Sequence, residues 1–252
     1  MDKELKLIVF ASSPDSAEIM AGGTLIKYAR AGHKIYDVIV NKIGPTYSYG
    51  AVYTDSSKDS ITTVRDDREM KRREQESAGK LIGYQNVIFL EIEDLEFDPK
   101  RKWEIVDIIR ETKPDIVLTH FDKDRNPGFS HLSNVVKEAS LLAATGRKTD
   151  KFSPHRIKRL YMFGIRGWAE NFVPDLYIDI GDVIEEKKKA LAQYKSMWDL
   201  PGRSEQYWLD RHVITQNKQW AFESGIAGYA EAFKTYWTRL FGTPLASDFF
   251  PY

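Results

Sequence analysis

Cysteine is absent from this 252-residue chain, and histidine is scarce: only His33, His120, His131, His155 and His212. Without cysteine there can be no disulfide, Cys-ligated zinc, iron–sulfur cluster or thiol nucleophile. With five histidines, a His-rich metal site would use most of the supply. An excess of charge is also missing. The 37 Lys and Arg balance the 37 Asp and Glu, which argues against a broad nucleic-acid or anionic-membrane footprint. Long apolar runs are lacking as well. The stretch from Leu5 to Ala11 is far too short to span a bilayer, so the expected compartment is the cytoplasm. There are no internal repeats and no low-complexity linker. With 42% hydrophobic residues, the chain is expected to bury one large core as a single domain over residues 1–252.

What is present alternates between strand and helix signals. Leu7-Ile8-Val9-Phe10-Ala11 is a short apolar run of the kind found in buried parallel strands. A helix is expected over residues 16–31, closed by Gly32, then a strand over 35–40. The pattern repeats with helices over 65–82, 102–112 and 132–144 and strands over 86–91 and 115–119. This order predicts a three-layer α/β fold with a doubly wound, mostly parallel, Rossmann-like sheet. Additional strands are expected over 159–165 and 176–180, and a helix over 183–198. Residues 207–238 read as largely helical and aromatic, and the tail Phe249-Phe250-Pro251-Tyr252 as apolar. The C-terminal aromatics suit a core or a homo-oligomeric contact.

In such sheets ligands bind outside the carboxyl ends of the strands. Three stretches fall there: residues 12–23, 41–60 and 120–131. The first clusters Ser13, Asp15, Ser16 and Glu18 at a helix start, where Asp15 or Ser16 could also serve simply as an N-cap. Gly22-Gly23 inside a helix is costly and asks for a packing or ligand reason. It is not a dinucleotide fingerprint. The second stretch carries a Tyr- and Ser-rich segment, residues 47–57, that suits ligand binding or an ordinary surface loop. The third holds His120, Asp124, Asn126 and His131. His120 could equally be a strand-end residue with a hydrogen-bond partner, and His131 a solvent-facing residue at a helix start.

At these stretches the chain resembles the PIG-L/LmbE-like deacetylases, whose zinc enzymes remove acyl groups from amino sugars and related amides. The family's first motif, A-H-P-D-D-x-E followed by two Gly and a Thr, stands here as Ser12-Ser13-Pro14-Asp15-Ser16-Ala17-Glu18 and Gly22-Gly23-Thr24 under a shared Pro-Asp register. Its later motif stands as Thr119-His120, Asp124, Arg125 and Asn126-Pro127-Gly128-Phe129. Lys71-x-x-Glu74, Pro174-Asp175-Leu176, Lys187 and Tyr229-Ala230-Glu231-Ala232-Phe233 continue the likeness. The resemblance implies an LmbE-like fold and Asp15 at the general-base position. It also implies zinc bound at three positions, occupied here by Ser13, Ser16 and Phe129. Serine is a poor zinc ligand and phenylalanine cannot ligate, so no metal or other cofactor is expected.

The expected reading is a divergent hydrolase-like protein acting on an N-acylated or sugar-like small molecule. Its expected catalytic groups are Asp15, His120 and Asp124. Its expected substrate contacts are Ser13, Ser16, Glu18, Lys71, Asn126 and His131. A serine nucleophile at Ser13 or Ser16, with His120 or His131 as base, is a lesser option. So is a displaced metal site built from Asp15, Glu18, Asp124 and a histidine. The alternative is a catalytically inactive pseudoenzyme that binds a sugar-like ligand or a protein partner.

Overall fold

The computed structural model describes residues 4–43, 68–93, 100–146, 151–165, 169–199 and 204–238. The Tyr- and Ser-rich segment 47–57 and the tail 249–252 lie outside them. Among the described residues, seven strands form one sheet in the order β3-β2-β1-β4-β5-β7-β6. The elements are β1 (Lys6–Ala11), α1 (Ser16–Arg30), β2 (Lys34–Asn41), α2 (Arg68–Ile82), β3 (Asn86–Ile92), α3 (Lys102–Thr112), β4 (Ile116–His120), α4 (Pro127–Ala143) and β5 (Arg159–Phe163). Then come β6 (Leu176–Asp179), α5 (Ile184–Leu191), α6 (Lys195–Trp198), α7 (Glu205–Leu209), a π-helical turn (Asp210–Ile214), α8 (Thr215–Ser224) and β7 (Ala230–Thr238).

Strands β1 to β5 pair in parallel. Each is largely apolar on both faces because helices cover both sides of the sheet. In β1 the alternation is explicit. Leu7, Val9 and Ala11 enter the layer with α1, α2 and α5, while Ile8 and Phe10 enter the layer with α3 and α4. Burying each large side chain of this kind contributes about 1.5–3 kcal/mol. The α/β architecture expected from the sequence is therefore present.

The C-terminal third departs from the helical reading of residues 207–238. The helix ends at Gly225, whose φ of 75° is left-handed, and Gly228 turns the chain again at φ 99°. Residues 230–238 then form β7, which is antiparallel to both β5 and β6. The reason is a period of two. Phe233 packs into the α1 layer, and Ala230 and Ala232 pack against Trp220 on the other face. The expected long helix at 183–198 is also broken, at residues 192–194, into α5 and α6.

One buried ion pair ties α1 to this region. Lys187 Nζ of α5 donates to Glu231 of β7 at 2.6 Å, to Asn217 Oδ1 at 3.0 Å and to the Ile19 carbonyl at 2.8 Å. The Glu231 carboxylate accepts the N–H groups of Gly23 at 2.8 Å and Thr24 at 2.7 Å. Burial pulls the Lys187 ammonium below its usual value, and Glu231 opposes that pull. Gly23 has a packing reason: an added Cβ would lie 2.7 Å from Ile180 Cγ2.

Candidate functional site

The carboxyl ends of β1 and β2, the first turn of α4, and α2 with the α5–α6 junction enclose a cleft of about 370 Å³. Of the residues expected from sequence, Ser13, Asp15, Lys71 and Asn126 line it, together with Ser12, Asn41 and Phe129. Ser16 lies beside this wall, its hydroxyl 3.0 Å from that of Ser13. Glu18, His120, Asp124 and His131 are not among the lining residues.

Asp15 sits at the N-cap position of α1 in the left-handed region, with φ 72°, and its side chain makes no capping hydrogen bond. The simple cap reading of Asp15 is thus set aside. Its N–H donates to Gln75 Oε1 at 3.1 Å. The residue is 7% exposed and borders the cleft. Burial pushes its carboxyl well above the usual carboxylate range. Glu18 adds to the push, Lys71 opposes it and Glu74 adds again. Asp15 therefore holds a proton more tightly than an ordinary aspartate.

Gln75, which the sequence reading did not single out, is the hub beneath it. Its Oε1 accepts from the Asp15 N–H and from Tyr194 OH at 2.7 Å. Its Nε2 donates to Glu18 Oε1 and Asp37 Oδ2, each at 2.8 Å. Tyr84 OH also donates to Glu18, at 2.7 Å. Glu18 and Asp37 are fully buried, and burial raises both carboxyl pKa values; Glu18 adds to the rise at Asp37. Glu18 is thus a support beneath the wall and not a surface of the cleft. Glu74, the preceding residue of α2, accepts both the N–H and the hydroxyl of Ser196, at 2.8 and 2.6 Å, which fixes α6 against α2.

His120 closes the end of β4 beneath the cleft. It is 1% exposed, and its Nε2 accepts the Ser12 N–H at 3.0 Å. This leaves the proton on Nδ1. Burial pulls the imidazole down to about 3, so it is neutral at physiological pH. Phe129 stacks on it at 4.0 Å between ring centroids, and Phe163 meets it edge-on at 5.0 Å. The strand-end option for His120 describes this geometry. Asp124 and Ser130 brace the loop into α4. Asp124 Oδ1 accepts the Asn126 N–H at 2.8 Å, and its own N–H and carbonyl bond Ser130 Oγ. Asn126 caps α4 by accepting the Gly128 N–H at 2.9 Å, with Pro127 in the first turn. The helix therefore starts five residues before the expected 132. His131 becomes a helical residue, half-buried outside the lining, with an Nε2 that has no hydrogen-bond partner among the described residues.

The donor set does not fit zinc. Ser13 and Ser16 hydrogen-bond to each other, and Phe129 is stacked on His120. Among the described residues no three His, Cys, Asp or Glu side chains converge as ligands. That geometry also gives no support to a displaced site built from Asp15, Glu18, Asp124 and a histidine. A serine nucleophile has no base at His120, whose Nε2 is committed to the Ser12 N–H.

The fold is shared with solved α/β proteins of modest sequence identity. A conserved protein from Thermus thermophilus superposes with a TM-score of 0.73 at 20% identity, covering 96% of this chain and 99% of that one. The N,N'-diacetylchitobiose deacetylase from Pyrococcus horikoshii gives 0.71 at 18% identity, covering 92% and 83%. The 4-carboxy-2-hydroxymuconate hydratase from Pseudomonas putida gives 0.73 at 20% identity, covering 95% and 99%. At these identities the likeness is one of fold. Family membership rests on residues 8–140, just over half of the chain, which match the GlcNAc-PI de-N-acetylase (PIG-L) family. The chain belongs to that family, as the motifs around Asp15 and His120 implied. No helix among the described residues is long and apolar enough to cross a membrane.

Proposed function

We propose that the chain is a divergent hydrolase-like member of this family, which takes an N-acylated or sugar-like small molecule into the Asp15 cleft and acts on it without zinc. The observation that carries the reading is the Asp15 carboxyl: buried, bordering the cleft, and not spent on capping α1. Family membership and the fold shared with a diacetylchitobiose deacetylase support the substrate class. In this reading Asp15 is an acid. It donates its proton to the leaving nitrogen as water adds to the acyl carbon and the C–N bond breaks. The proton of the attacking water returns to the Asp15 carboxylate. General acid catalysis of this kind supplies about 10²–10⁴-fold, so turnover is expected to be slow. In this reading the protein acts in the cytoplasm, and the exposed Tyr207 and Phe222 offer apolar surface for a homo-oligomeric contact.

The second reading is a binder without turnover. The commitment of His120 Nε2 favours it, because Asp15 then has no help from that imidazole. One experiment separates the two: hydrolysis of N-acetylated amino sugars and sugar esters with and without chelator, alongside zinc analysis of the purified protein. Chelator-insensitive turnover lost in Asp15→Asn supports the enzyme. Ligand-induced thermal stabilisation without turnover supports the binder. A full equivalent of tightly bound zinc refutes both zinc-free readings.

A further inference from the structure

The carboxyl ends of β1 and β2 and the cap of α4 bring three uncharged polar side chains together in the cleft wall. They are Ser12, Asn41 and Asn126. An added Cβ on Gly128, in the first turn of α4, would have them as its nearest neighbours: Asn126 Oδ1 at 3.2 Å, Asn41 Nδ2 at 3.6 Å and Ser12 Oγ at 3.8 Å. The three therefore surround one point that a methyl group would fill.

Asn41 is held to Ser12 twice. Its N–H donates to the Ser12 carbonyl at 3.2 Å, and its Nδ2 donates to Ser12 Oγ at 2.7 Å. A bulge lies opposite. Ile39 pairs with Phe89 but Asn41 with Ile92, and Glu91 takes a left-handed φ of 53°. A bulge beside a cleft re-aims the side chains next to it.

These bonds leave groups of both kinds unmatched among the described residues. Asn41 keeps Oδ1, an acceptor, and Ser12 keeps its hydroxyl proton. Asn126 spends Oδ1 on the Gly128 N–H and keeps both protons of Nδ2. Because that N–H can only donate, the orientation of the Asn126 amide is fixed. Turning the Asn41 amide over would make Ser12 the donor and free Nδ2, so this pair offers one donor and one acceptor either way.

We infer that Ser12, Asn41 and Asn126 form a subsite for neighbouring uncharged hydroxyl groups, such as a sugar ring carries. Each hydroxyl gives one proton and accepts others, so a pair satisfies Asn41 Oδ1 together with Ser12 and Asn126. A fully ionised carboxylate or phosphate has no proton for Asn41. An ammonium has no lone pair for Ser12 and Asn126. Either would leave a polar group of the wall unmatched, which is costly. The inference rests on the cleft being the ligand site, as proposed above, and names the side chains that read the sugar.

The test is calorimetric titration with N-acetylglucosamine, its 3-deoxy and 4-deoxy analogues, glucose and N-cyclohexylacetamide, which keeps a ring and an acyl group but has no hydroxyl. N-cyclohexylacetamide and at least one deoxy sugar are expected to bind roughly tenfold or more weaker than N-acetylglucosamine, which is about 1.4 kcal/mol. Asn41→Leu should bind these ligands alike. Gly128→Ala puts a methyl at the shared point. It should weaken N-acetylglucosamine by a similar factor and leave N-cyclohexylacetamide unchanged, with melting curves checking that both variants are folded. The inference is overturned if N-cyclohexylacetamide or both deoxy sugars bind as tightly as N-acetylglucosamine, or if Asn41→Leu keeps the full discrimination. The proposed function then still stands. If glucose binds and N-acetylglucosamine does not, the hydroxyl subsite stands and the N-acylated reading falls. If no probe binds, the subsite is overturned, and the hydrolysis assay above decides the reading on which it rests.

Discussion

If His120 is a neutral brace, protonating it must unfold the protein or cost stability. Its imidazole lies between Phe129 and Phe163 and accepts the Ser12 N–H. Burial shifts it from an ordinary value of 6.5 to about 3. The folded state then binds fewer protons than the unfolded state at every pH between those values, so this contribution falls as pH falls. It is intact above about pH 7.5. Lowering the pH to 5.0 removes about 2 kcal/mol, at about 1.4 kcal/mol per unit below 6.5. In a chain of this size that corresponds to a drop in Tm of roughly 4–8 °C. Urea unfolding at about pH 7.5 and 5.0 measures it. His120→Asn loses packing at both pH values but cannot titrate, so its difference from the wild type should shrink by about 2 kcal/mol at the lower pH. Equal pH slopes for the two proteins would show that His120 is free to take a proton in the folded state. The brace would then be wrong, and a catalytic role would return.

Three other perturbations test the support beneath the cleft. Glu18 and Asp37 have raised folded values, so their contribution is full below about pH 4 and is lost as pH rises through those values. Asp37→Asn should therefore gain on the wild type between about pH 5 and pH 8 in the same unfolding assay; a constant difference would contradict the raised value. Lys187→Met leaves Glu231 buried without its cation and should cost about 3–5 kcal/mol, measured by urea denaturation. A loss below about 1 kcal/mol would mean that the pair is not the anchor of α1. Gly23→Ala places a methyl 2.7 Å from Ile180 Cγ2. Crowding of about 1–3 kcal/mol should outweigh the helix-propensity gain of about 1 kcal/mol, and an unchanged Tm would argue that Ile180 yields.

Much of the scaffold is legible in the chain because parallel strands covered on both faces read as unbroken apolar runs. Leu7 to Ala11 is of this kind, and Ile35 to Val40 is nearly so. β7 is hidden because its alternation, Ala230-Glu231-Ala232-Phe233, carries aromatics at spacings that also suit a helix, and alanine is itself a strong helix former. The early start of α4 is signalled by Asn126-Pro127, a cap followed by a first-turn proline. Of the site, Ser13, Asp15, Lys71 and Asn126 are legible because motif position and cleft coincide. His120 is easily misjudged because its partner is a backbone N–H, and sequence spacing carries no trace of that bond. Gln75 lies in a strongly charged helix that looks solvated. Its signal is the buried spacing Gln75, Ala78, Gly79 and Ile82 along one face. Asp37, a carboxyl inside an apolar strand, is the other visible clue.

The lock on α1 has a consequence for the order in which the molecule is made. Glu231 reaches Gly23 across 208 positions of chain, and it does so from the strand that joins β6 to the rest of the sheet. On a ribosome, the segment bearing Asp15 emerges well before Glu231 and must wait for the intervening chain before its helix is tied down. Pairings of such long range form slowly, because the loop between them must be closed first. A nascent or truncated chain can therefore collapse its first five strands and still lack a finished cleft.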